Sequence, residues 1–475
     1  AAALRGLGVN RGDRVGIYMP TAPEAIMAML AATRIGAVHL VVFAGFGSGA
    51  LAERLRLAET RVLLTADLTW RKGREVPLDG IVADALADPE SPIEHVVLLN
   101  RAGRAGRLAE RAIDWDAFLA GGRGHSSVHE VMESNDPAFV LATSGTTAKP
   151  KLAVHVHGGY QVWIRNAGEW CFGLKPNDVW WSTSDIGWIV GHSYIVYAPL
   201  LAGCTTIAYE GALDHPTPDT LYRIVGENAV SGIFTAPTAV RMLMAHGSDY
   251  ARKFDLGSVE RVVCAGEVLN VPAWEWLQKD VFQDRVPVID HMWQTETSGP
   301  VFGNPYGISL LPIKPGSAAI PLPGIAAEIR TQEGAVCPPG EKGIVVLTRP
   351  FPGLTPTIWG DPDRYAQDYW GRIPGVYFTG DAGEIDDDGY IWFSGRADEI
   401  IKIAGHRIGT IEVETAFLRH PAVAEAGVCG RPDDVRGEVV SAFIVLRAGH
   451  EPSADLKKEL LATVRRELGP VAVIG

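Results

Sequence analysis

Short apolar runs alternate with amphipathic, helix-like stretches through the first half of the sequence. Residues 14–20 (RVGIYMP), 39–45 (HLVVFAG) and 61–67 (RVLLTAD) have the length and apolar character of buried strands, and residues 23–37 have the apolar face of a helix. A second round of this alternation runs from about residue 160 to residue 300. Strands that alternate with helices pair in parallel and are covered by those helices. The first half is therefore predicted to be α/β with largely parallel sheets.

The pattern changes in the second half of the chain. Between about residues 315 and 395, short strands are separated by frequent Gly and Pro, which is typical of a β-rich subdomain. From about residue 399 the alternation returns in a smaller unit, with a helix predicted at 411–419. We therefore predict a large multi-sheet N-terminal domain (1–397) that contains the β-rich part, and a small α+β C-terminal domain (398–475).

Composition narrows the possible classes of function. The 43 Lys and Arg residues are outnumbered by 56 Asp and Glu, giving a net charge of −13 without a basic stripe, which argues against a nucleic-acid partner. None of the five cysteines lies in a CxxC pair, which fits a reduced, cytoplasmic compartment without disulfides or a zinc site. The longest apolar stretch, residues 195–209, is too short to cross a bilayer, so no membrane partner is expected. The oligomeric state stays open.

Residues 142–151 (ATSGTTAKPK) form a dense run of hydroxyl side chains, glycine and two lysines after the apolar stretch PAFVL. On a loop, such hydroxyls, backbone N–H groups and cations can cradle a polyphosphate. The run is not a Walker A motif, because GxxxxGK[ST] is absent. A solvated polar turn is the alternative interpretation of this segment taken alone.

The run resembles the TSGTTGxPK phosphate loop of the adenylate-forming superfamily, which includes acyl-CoA synthetases, luciferases and peptide-synthetase adenylation domains; Ala148 stands where the family usually has Gly. Further segments look like acetyl-CoA synthetases in particular and follow in the same order, among them GWIVGHSY (187–194), CAGEVLN (264–270), WQTETSG (293–299) and the segment 377–409. The chain is thus identified as an acetyl-CoA synthetase-like, short-chain acyl-CoA synthetase. The resemblance implies that the small C-terminal domain is mobile about a hinge at Asp398.

The resemblance also implies a two-step reaction that uses ATP, Mg²⁺ and coenzyme A. A carboxylate attacks the α-phosphate of ATP to give an acyl-adenylate and pyrophosphate, and the thiol of coenzyme A then releases AMP. The family's catalytic lysine lies in a PKTRSGK-like motif that the sequence stops short of, so segments at both ends are expected to be missing. An adenylation domain or luciferase-like oxygenase is the alternative within the superfamily. A catalytically inactive nucleotide sensor is the alternative from another class.

Individual roles follow from the resemblance, residue by residue. The phosphate loop contributes Thr143, Ser144, Gly145, Thr146, Thr147 and Lys151, and Arg407 contacts phosphate. The residues implied to line the nucleotide are Gly266, Glu267, Val268, Asp290, His291, Met292, Gln294 and Thr295, with Asp381 and Arg396 at the ribose. The residues implied to be catalytic are Thr143, Thr146, Lys151, Arg407 and Glu296, the last as the ligand of magnesium.

The remaining roles concern the metal and coenzyme A. Glu296 matches the magnesium ligand, since a carboxylate together with ATP phosphates suits a hard cation. His420, with Leu418 and Val423, matches a second cation site. Arg71 and Arg74, three residues apart and on one face if the segment is helical, match the arginines that grip the phosphates of coenzyme A. Ala404 and Gly405 match the point where the pantetheine tunnel meets the small domain.

Trp293 is a bulky indole within a polar cluster, and the resemblance implies that it closes the end of the acyl pocket. The other implied walls are Ile189, Val190 and Ala265. Val190 stands where Thr is common and Ala265 where Val is common, and the second change removes two methyl groups. A short but wide pocket predicts a compact branched acid of the isobutyrate or 2-hydroxyisobutyrate type. The alternative is a plain acetyl- or propionyl-CoA synthetase, if neighbouring side chains refill the space.

Overall fold

The computed structural model describes residues 1–103, 106–143, 150–397, 401–403, 406–433 and 437–468, and for 401–403, 406–408, 432–433 and 437–438 it describes the backbone alone. The described residues form two compact units. The first unit comprises residues 1–216, 294–299 and 351–366, and the second comprises the described part of 217–293, 300–350 and 367–475. The predicted hinge at Asp398 lies outside the described residues, so the division into domains 1–397 and 398–475 remains a prediction.

Helices occur in both units. The α-helices are α1 (Ala2–Gly6), α2 (Pro23–Arg34), α3 (Ser48–Leu57), α4 (Asp79–Ala85), α5 (Trp115–Gly121), α6 (His157–Phe172), α7 (Ile189–Gly191), α8 (Ala198–Ala202), α9 (Thr220–Glu227), α10 (Pro237–Met244), α11 (Val271–Glu275), α12 (Pro362–Tyr365), α13 (Thr410–Leu418) and α14 (Ala454–Leu468). The π-helical turns are His192–Tyr197, Trp276–Val281 and Ala366–Trp370, and the 3₁₀ turns are Ala251–Lys253 and Thr295–Thr297.

Strands are more numerous and mostly short. In the first unit they are β1 (Arg14–Tyr18), β2 (Val38–Val41), β3 (Val62–Ala66), β4 (Leu68–Arg71), β5 (Arg74–Pro77), β6 (His95–Leu99), β7 (Ile113–Asp114), β8 (Pro137–Thr143), β9 (Lys151–Val156), β10 (Val179–Ser182) and β11 (Thr205–Thr206). In the second unit they are β12 (Gly232–Thr235), β13 (Arg261–Cys264), β14 (Val288–Asp290), β15 (Phe302–Gly303), β16 (Ile320–Pro321), β17 (Ala327–Arg330), β18 (Gly343–Leu347), β19 (Tyr377–Ile385), β20 (Ile391–Arg396), β21 (Ile401–Ile403), β22 (His406–Ile408), β23 (Val423–Asp433) and β24 (Gly437–Leu446).

The first unit is built on a seven-stranded sheet in the order β7-β6-β3-β1-β2-β8-β9. All neighbours pair in parallel except β8 and β9, which are antiparallel. The inner strands β1, β2 and β3 are almost wholly buried, because helices cover both faces of the sheet. One face packs on a core that includes Leu51 and Val82, and the other on a core that includes Ala28 and Phe118. The predicted parallel α/β sheet is confirmed.

The boundaries of the first predicted elements differ slightly from those observed. The predicted helix over 23–37 is observed at Pro23–Arg34. Proline suits the first position of a helix, because the backbone N–H that it lacks would have no acceptor within the helix. Gly36, just beyond, has φ of 70°, which stops the helix. The strand predicted at 39–45 is observed at Val38–Val41 and is shorter than its apolar run, because residues 43–46 form a turn.

The described part of the second unit contains strands of four sheets, one of them the short antiparallel pair β15–β16. β12, β13 and β14 pair in parallel. β17, β18, β19 and β20 form an antiparallel sheet, which confirms the β-rich part predicted between about residues 315 and 395. The last sheet has the order β22-β21-β24-β23 and is covered by α13 and α14 through a small core that includes Phe417 and Val464. The helix predicted at 411–419 is α13, Thr410–Leu418.

Within the described part of the chain, no helix has the length and apolar character needed to cross a membrane.

Candidate active site

The phosphate-loop residues lie between two paired strands of the first unit. Thr143 ends β8 and Lys151 begins β9, and the two residues are direct partners across the antiparallel pair. The predicted ligands Ser144, Gly145, Thr146 and Thr147 lie outside the described residues. Among the described residues, Thr143 Oγ1 is buried and has no hydrogen-bond partner. A buried hydroxyl without a partner is costly, and a phosphate oxygen would supply that partner.

The turn that carries Glu296 is tied firmly to the rest of the first unit. Residues Thr295–Thr297 form a 3₁₀ turn, and the backbone N–H of Gln294 donates to Thr297 Oγ1 at 2.9 Å. Ser298 follows with φ of 65°, a left-handed conformation that is uncommon for a side chain with a Cβ. Its hydroxyl compensates by donating to the Gly353 carbonyl at 2.6 Å. The backbone of Glu296 is thereby held in one orientation.

Two further hydrogen bonds reach this turn from neighbouring segments. The Ser193 hydroxyl donates to the Ser298 carbonyl at 2.6 Å, and the Thr355 N–H donates to the Glu296 carbonyl at 2.7 Å. The Thr355 hydroxyl in turn donates to the carbonyl of Val154 in β9, at 2.6 Å. The turn therefore depends on residues far away in sequence, of which only Ser193 lies in a quoted motif, GWIVGHSY. No local pattern in the sequence predicts these long-range hydrogen bonds.

A layer of buried aromatic rings lies beneath the same turn. The rings of His39, His155 and His192 pack around Phe139 with centroid separations of 5.1, 4.5 and 4.8 Å. Burial lowers the pKa of His155 to about 3 and that of His192 to about 4, so both are neutral at pH 7. His155 Nδ1 is hydrogen-bonded to the Ser298 hydroxyl at 2.9 Å. This neutral layer supports the turn without placing a positive charge near Glu296.

Arg71 and Arg74 lie on a β-hairpin, so the helical arrangement considered from their spacing is wrong. They are cross-strand partners in the β4–β5 pair, on either side of a two-residue turn of Lys72 and Gly73 with φ of 46° and 72°. Such a turn closes a hairpin tightly, and residues directly opposite one another present their side chains on the same face. The Arg71 guanidinium lies 4.9 Å from the centroid of the Phe43 ring. Both arginines are exposed to solvent.

The predicted acyl-pocket residues of the first unit lie at the start of α7. Ile189 is its first residue and is buried, and Val190 is half-buried. The α7 helix continues directly into the π-helical turn His192–Tyr197. Gly191 is required here, because a Cβ at this position would lie 2.0 Å from the Asp185 carbonyl oxygen. The chain is thus closely packed around both residues.

In the second unit, the predicted nucleotide residues follow the carboxyl ends of two neighbouring parallel strands. Cys264 at the end of β13 is the register partner of Asp290 at the end of β14. Ala265 and Gly266 follow the first strand, and Gly266 has φ of 106°, which favours glycine. Ligands of α/β proteins bind at this edge of a parallel sheet. The other predicted nucleotide residues here are Glu267, Val268, His291 and Met292, in the two loops that leave these strands.

The carboxyl groups in these loops have distinct environments. Asp290 is buried and accepts hydrogen bonds from the backbone N–H groups of Leu269 (3.0 Å) and His291 (3.1 Å). Burial nevertheless raises the pKa of Asp290 to about 8, so at pH 7 it is mostly protonated. Glu267 is more exposed and pairs with Arg241 at 2.6 Å. Arg241, which is not among the predicted site residues, thus fixes the side chain of a predicted nucleotide residue.

Trp293 and Ala265 are both buried in the second unit, at 8% and 3% exposure. The Trp293 indole stacks on the Phe234 ring with centroids 5.9 Å apart and planes inclined by 23°. Offset stacking of this kind holds a ring in place. The Trp293 indole is therefore held in one orientation.

Asp381 and Arg396 are brought together by strand pairing. They are register partners in the β19–β20 hairpin, and Arg396 Nη1 donates to Asp381 Oδ1 at 3.1 Å and to the Thr379 carbonyl at 3.2 Å. Gly380 has φ of 76°, and a Cβ there would lie 2.3 Å from Arg396 Nη2. Glycine is thus needed for the guanidinium to reach Asp381. A carboxylate held in this way can accept hydrogen bonds from both hydroxyls of a ribose.

The last predicted residues are only partly described. Arg407 lies in β22, paired with Lys402, and only its backbone is described; Ala404 and Gly405 lie outside the described residues. His420 Nδ1 accepts a hydrogen bond from the Ala422 N–H at 3.2 Å, and its Nε2 lies 3.5 Å from Glu459. The second cation site at His420 remains a prediction.

Within the described ranges, no group of three His, Cys, Asp or Glu side chains is arranged to hold a metal ion. Glu296 therefore offers a single carboxylate. A magnesium ion at such a site takes its remaining ligands from phosphate oxygens and water, as is usual for this ion. The fit of magnesium thus depends on the nucleotide being bound at the same time.

A chain with these loops at its sheet edges has the architecture of enzymes that bind ATP and form an acyl-adenylate. Models of two families match it: "AMP-binding enzyme" over residues 1–359 and "AMP-binding enzyme C-terminal domain" over residues 412–475. The chain belongs to the AMP-binding enzyme family.

Related proteins support the same assignment. An acetyl-coenzyme A synthetase of Pyrobaculum aerophilum is 44% identical over 468 residues, covering 98% of this chain and 70% of that protein. An acetyl-coenzyme A synthetase of Laribacter hongkongensis is 43% identical over 479 residues, covering 99% of this chain and 73% of that protein. An acetoacetyl-CoA synthetase structure from Streptomyces lividans, 26% identical, has a TM-score of 0.88 and covers 100% of this chain and 71% of its own.

The family and its fold, expected from the motifs, are therefore confirmed. An anthranilate CoA ligase bound to anthranoyl-AMP has the same fold, with a TM-score of 0.84 at 24% identity over 99% of this chain and 84% of its own. The chain is an ATP-dependent acyl-CoA ligase that acts through an acyl-adenylate, with ATP, coenzyme A and a carboxylic acid as substrates.

Proposed function

We propose that this ligase activates acetate, with propionate as a second substrate. The acetyl-coenzyme A synthetases described above support acetate over the branched acids inferred from Val190 and Ala265. The burial of Ala265 carries the argument. At 3% exposure, its face is already covered by neighbouring atoms, so the methyl groups absent relative to Val do not leave an open pocket. Trp293, held by its stack on Phe234, limits the length of the acid.

We assign the first half-reaction to five of the predicted residues. Thr143 and Lys151 hold phosphate oxygens, while Asp381 and Arg396 hold the ribose. Glu296 provides a magnesium ligand, and the ion, when bound, neutralises phosphate charge. The acid is aligned against the α-phosphate by its short pocket, so positioning and charge stabilisation supply most of the catalysis. Rotation of residues 398–475 about Asp398 would present a different face of the small domain to coenzyme A.

Pyrophosphate release measured across linear, branched and hydroxylated acids of two to six carbons tests the acid preference. We expect acetate to have the highest kcat/KM and propionate to follow within about tenfold, since one methylene discriminates by ~1–3 kcal/mol. Isobutyrate and 2-hydroxyisobutyrate should be at least about tenfold weaker than acetate. Ala265→Val should then reduce activity with every acid, because the site is already filled. A preference for a branched acid, reversed by Ala265→Val, would instead establish the wide pocket.

Arg71→Ala and Arg74→Ala should impair thioester formation and leave the adenylate half-reaction intact. Each loses a charge-assisted contact to a phosphate of coenzyme A, so we expect the KM for coenzyme A to rise by about tenfold or more. Pyrophosphate exchange in the absence of coenzyme A should change by less than about twofold. Arg56→Ala is the matched control, since Arg56 is a surface arginine paired with Asp88 and Glu90. Equal losses in both half-reactions would contradict the assignment.

A further inference from the structure

Glu210, in the loop after β11, joins the arginine hairpin to a second segment of the first unit. Its Oε1 accepts hydrogen bonds from the Thr69 hydroxyl (2.7 Å) and the Trp70 N–H (3.0 Å), both in β4. Arg101 donates to the same carboxylate through both guanidinium nitrogens, at 2.9 and 2.5 Å. The side chains of Glu210 and Arg101 are only 16% and 23% exposed. Four hydrogen bonds therefore converge on one half-buried carboxylate.

Arg101 is itself anchored to the end of β3. Its backbone N–H donates to Asp67 Oδ1 at 2.9 Å, and its Nη1 donates to the Leu68 carbonyl at 3.1 Å. Burial alone would raise the pKa of Glu210, but the hydrogen bonds from Arg101, Thr69 and Trp70 outweigh burial and lower that pKa. The carboxylate is thus ionised across the neutral pH range, and β4 is attached to the main sheet through a charged pair.

The segment that follows Glu210 contacts the turn of the β4–β5 hairpin. Asp214 pairs with Lys72 at 2.9 Å, and Gly73 lies so close to His215 that a Cβ would be 2.6 Å from its Nε2. Residues 210–215 therefore run along the hairpin from its base to its turn. We call this segment the hairpin tether.

The hairpin needs such support. Two strands of four residues are marginally stable by themselves, and the pair that closes this hairpin is Arg71 opposite Arg74. Like charges directly opposite one another destabilise a strand pair. Without the tether, repulsion between the two guanidinium groups would let the turn open and move both away from a common ligand.

We propose that Glu210 is a positioning residue for coenzyme A, acting through the hairpin tether to hold Arg71 and Arg74 where both can contact its phosphates. The inference rests on the proposed role of these arginines. Glu210 does not itself contact coenzyme A. Its contribution is to the second half-reaction, because the residues that we assign to ATP and to the acid belong to other segments.

Glu210→Gln in the intact enzyme tests the proposal. The substitution keeps the size of the side chain and removes its charge. We expect the KM for coenzyme A to rise about tenfold, with kcat at saturating coenzyme A and pyrophosphate exchange without coenzyme A each within about twofold of wild type. Glu94→Gln is the matched control, because Glu94 forms a bidentate pair with Arg61 (2.9 and 2.7 Å) elsewhere in the same unit. It should change neither half-reaction.

Thr69→Val is the second variant, and it decides the question if Glu210→Gln does not fold. It removes the hydroxyl that links β4 to Glu210 and leaves the Glu210–Arg101 pair in place, so it should raise the KM for coenzyme A in the same direction. A similar fall in both half-reactions would overturn the proposal, since a general loss of structure would then explain it. If the KM for coenzyme A is unchanged in Glu210→Gln and Thr69→Val but raised in Arg71→Ala, the positioning role of Glu210 is refuted and the role of the arginines stands. If Arg71→Ala also has no effect, the proposed role of the arginines fails with it.

Discussion

Asp381→Ala raises the KM for ATP by about a hundredfold or more, and this is the largest single effect that we expect on nucleotide binding. Two charge-assisted hydrogen bonds to a ribose are lost, each contributing ~1.5–3 kcal/mol, and every 1.4 kcal/mol is about tenfold in affinity. The substitution also removes the partner that Arg396 contacts at 3.1 Å. Initial rates at varied ATP, with acid and coenzyme A saturating, measure the effect.

Controls separate loss of the contact from loss of structure. Asp388 lies between the same two strands and pairs with Lys314, but it is 73% exposed, so Asp388→Ala should leave the KM for ATP unchanged. Asp381→Asn keeps the shape of the side chain and should give an intermediate loss. If Asp381→Ala has the wild-type KM for ATP, Asp381 does not hold the ribose.

Trp293→Gly should convert a short-chain enzyme into one that accepts longer linear acids. Removing an indole opens space for several methylenes, each worth ~1–3 kcal/mol of discrimination. We therefore expect the ratio of kcat/KM for hexanoate to that for acetate to rise by about a hundredfold or more. The cost is stability, about 3–5 kcal/mol for deleting a buried indole, so thermal unfolding should be measured beside the kinetics. Initial rates with acids of two to six carbons provide the comparison.

Trp276 supplies the matched control for this substitution. It is as buried as Trp293, at 7% against 8% exposure, and belongs to the same unit. Trp276→Gly should lower stability to a similar extent without changing the order of acid preference. Trp293→Phe should retain the contact with Phe234 and extend the accepted length by less than Trp293→Gly. If a folded Trp293→Gly enzyme still does not activate hexanoate, a group other than Trp293 ends the acyl pocket.

Features that rest on local signals could be predicted from the sequence. Apolar runs of strand length predicted β1, β2 and β3, because a strand buried on both faces must be apolar along its whole length. The helix predicted at 411–419 was displaced by a single residue from α13. Motifs such as WQTETSG identified the family, because the chemistry of ATP binding demands specific side chains at fixed spacing.

The support that distant segments give to those motifs could be seen only in the folded structure. Arg101 and Glu210 are 109 residues apart, and Ser298 and Gly353 are 55 apart, so no local pattern could pair them. Spacing suggested that Arg71 and Arg74 share a helix face, whereas the turn at Lys72 and Gly73 places them on a hairpin. The raised pKa of Asp290 has the same origin, since desolvation depends on everything packed around a group. Side-chain identity is a local property, while burial and partner choice arise only when the whole chain has folded.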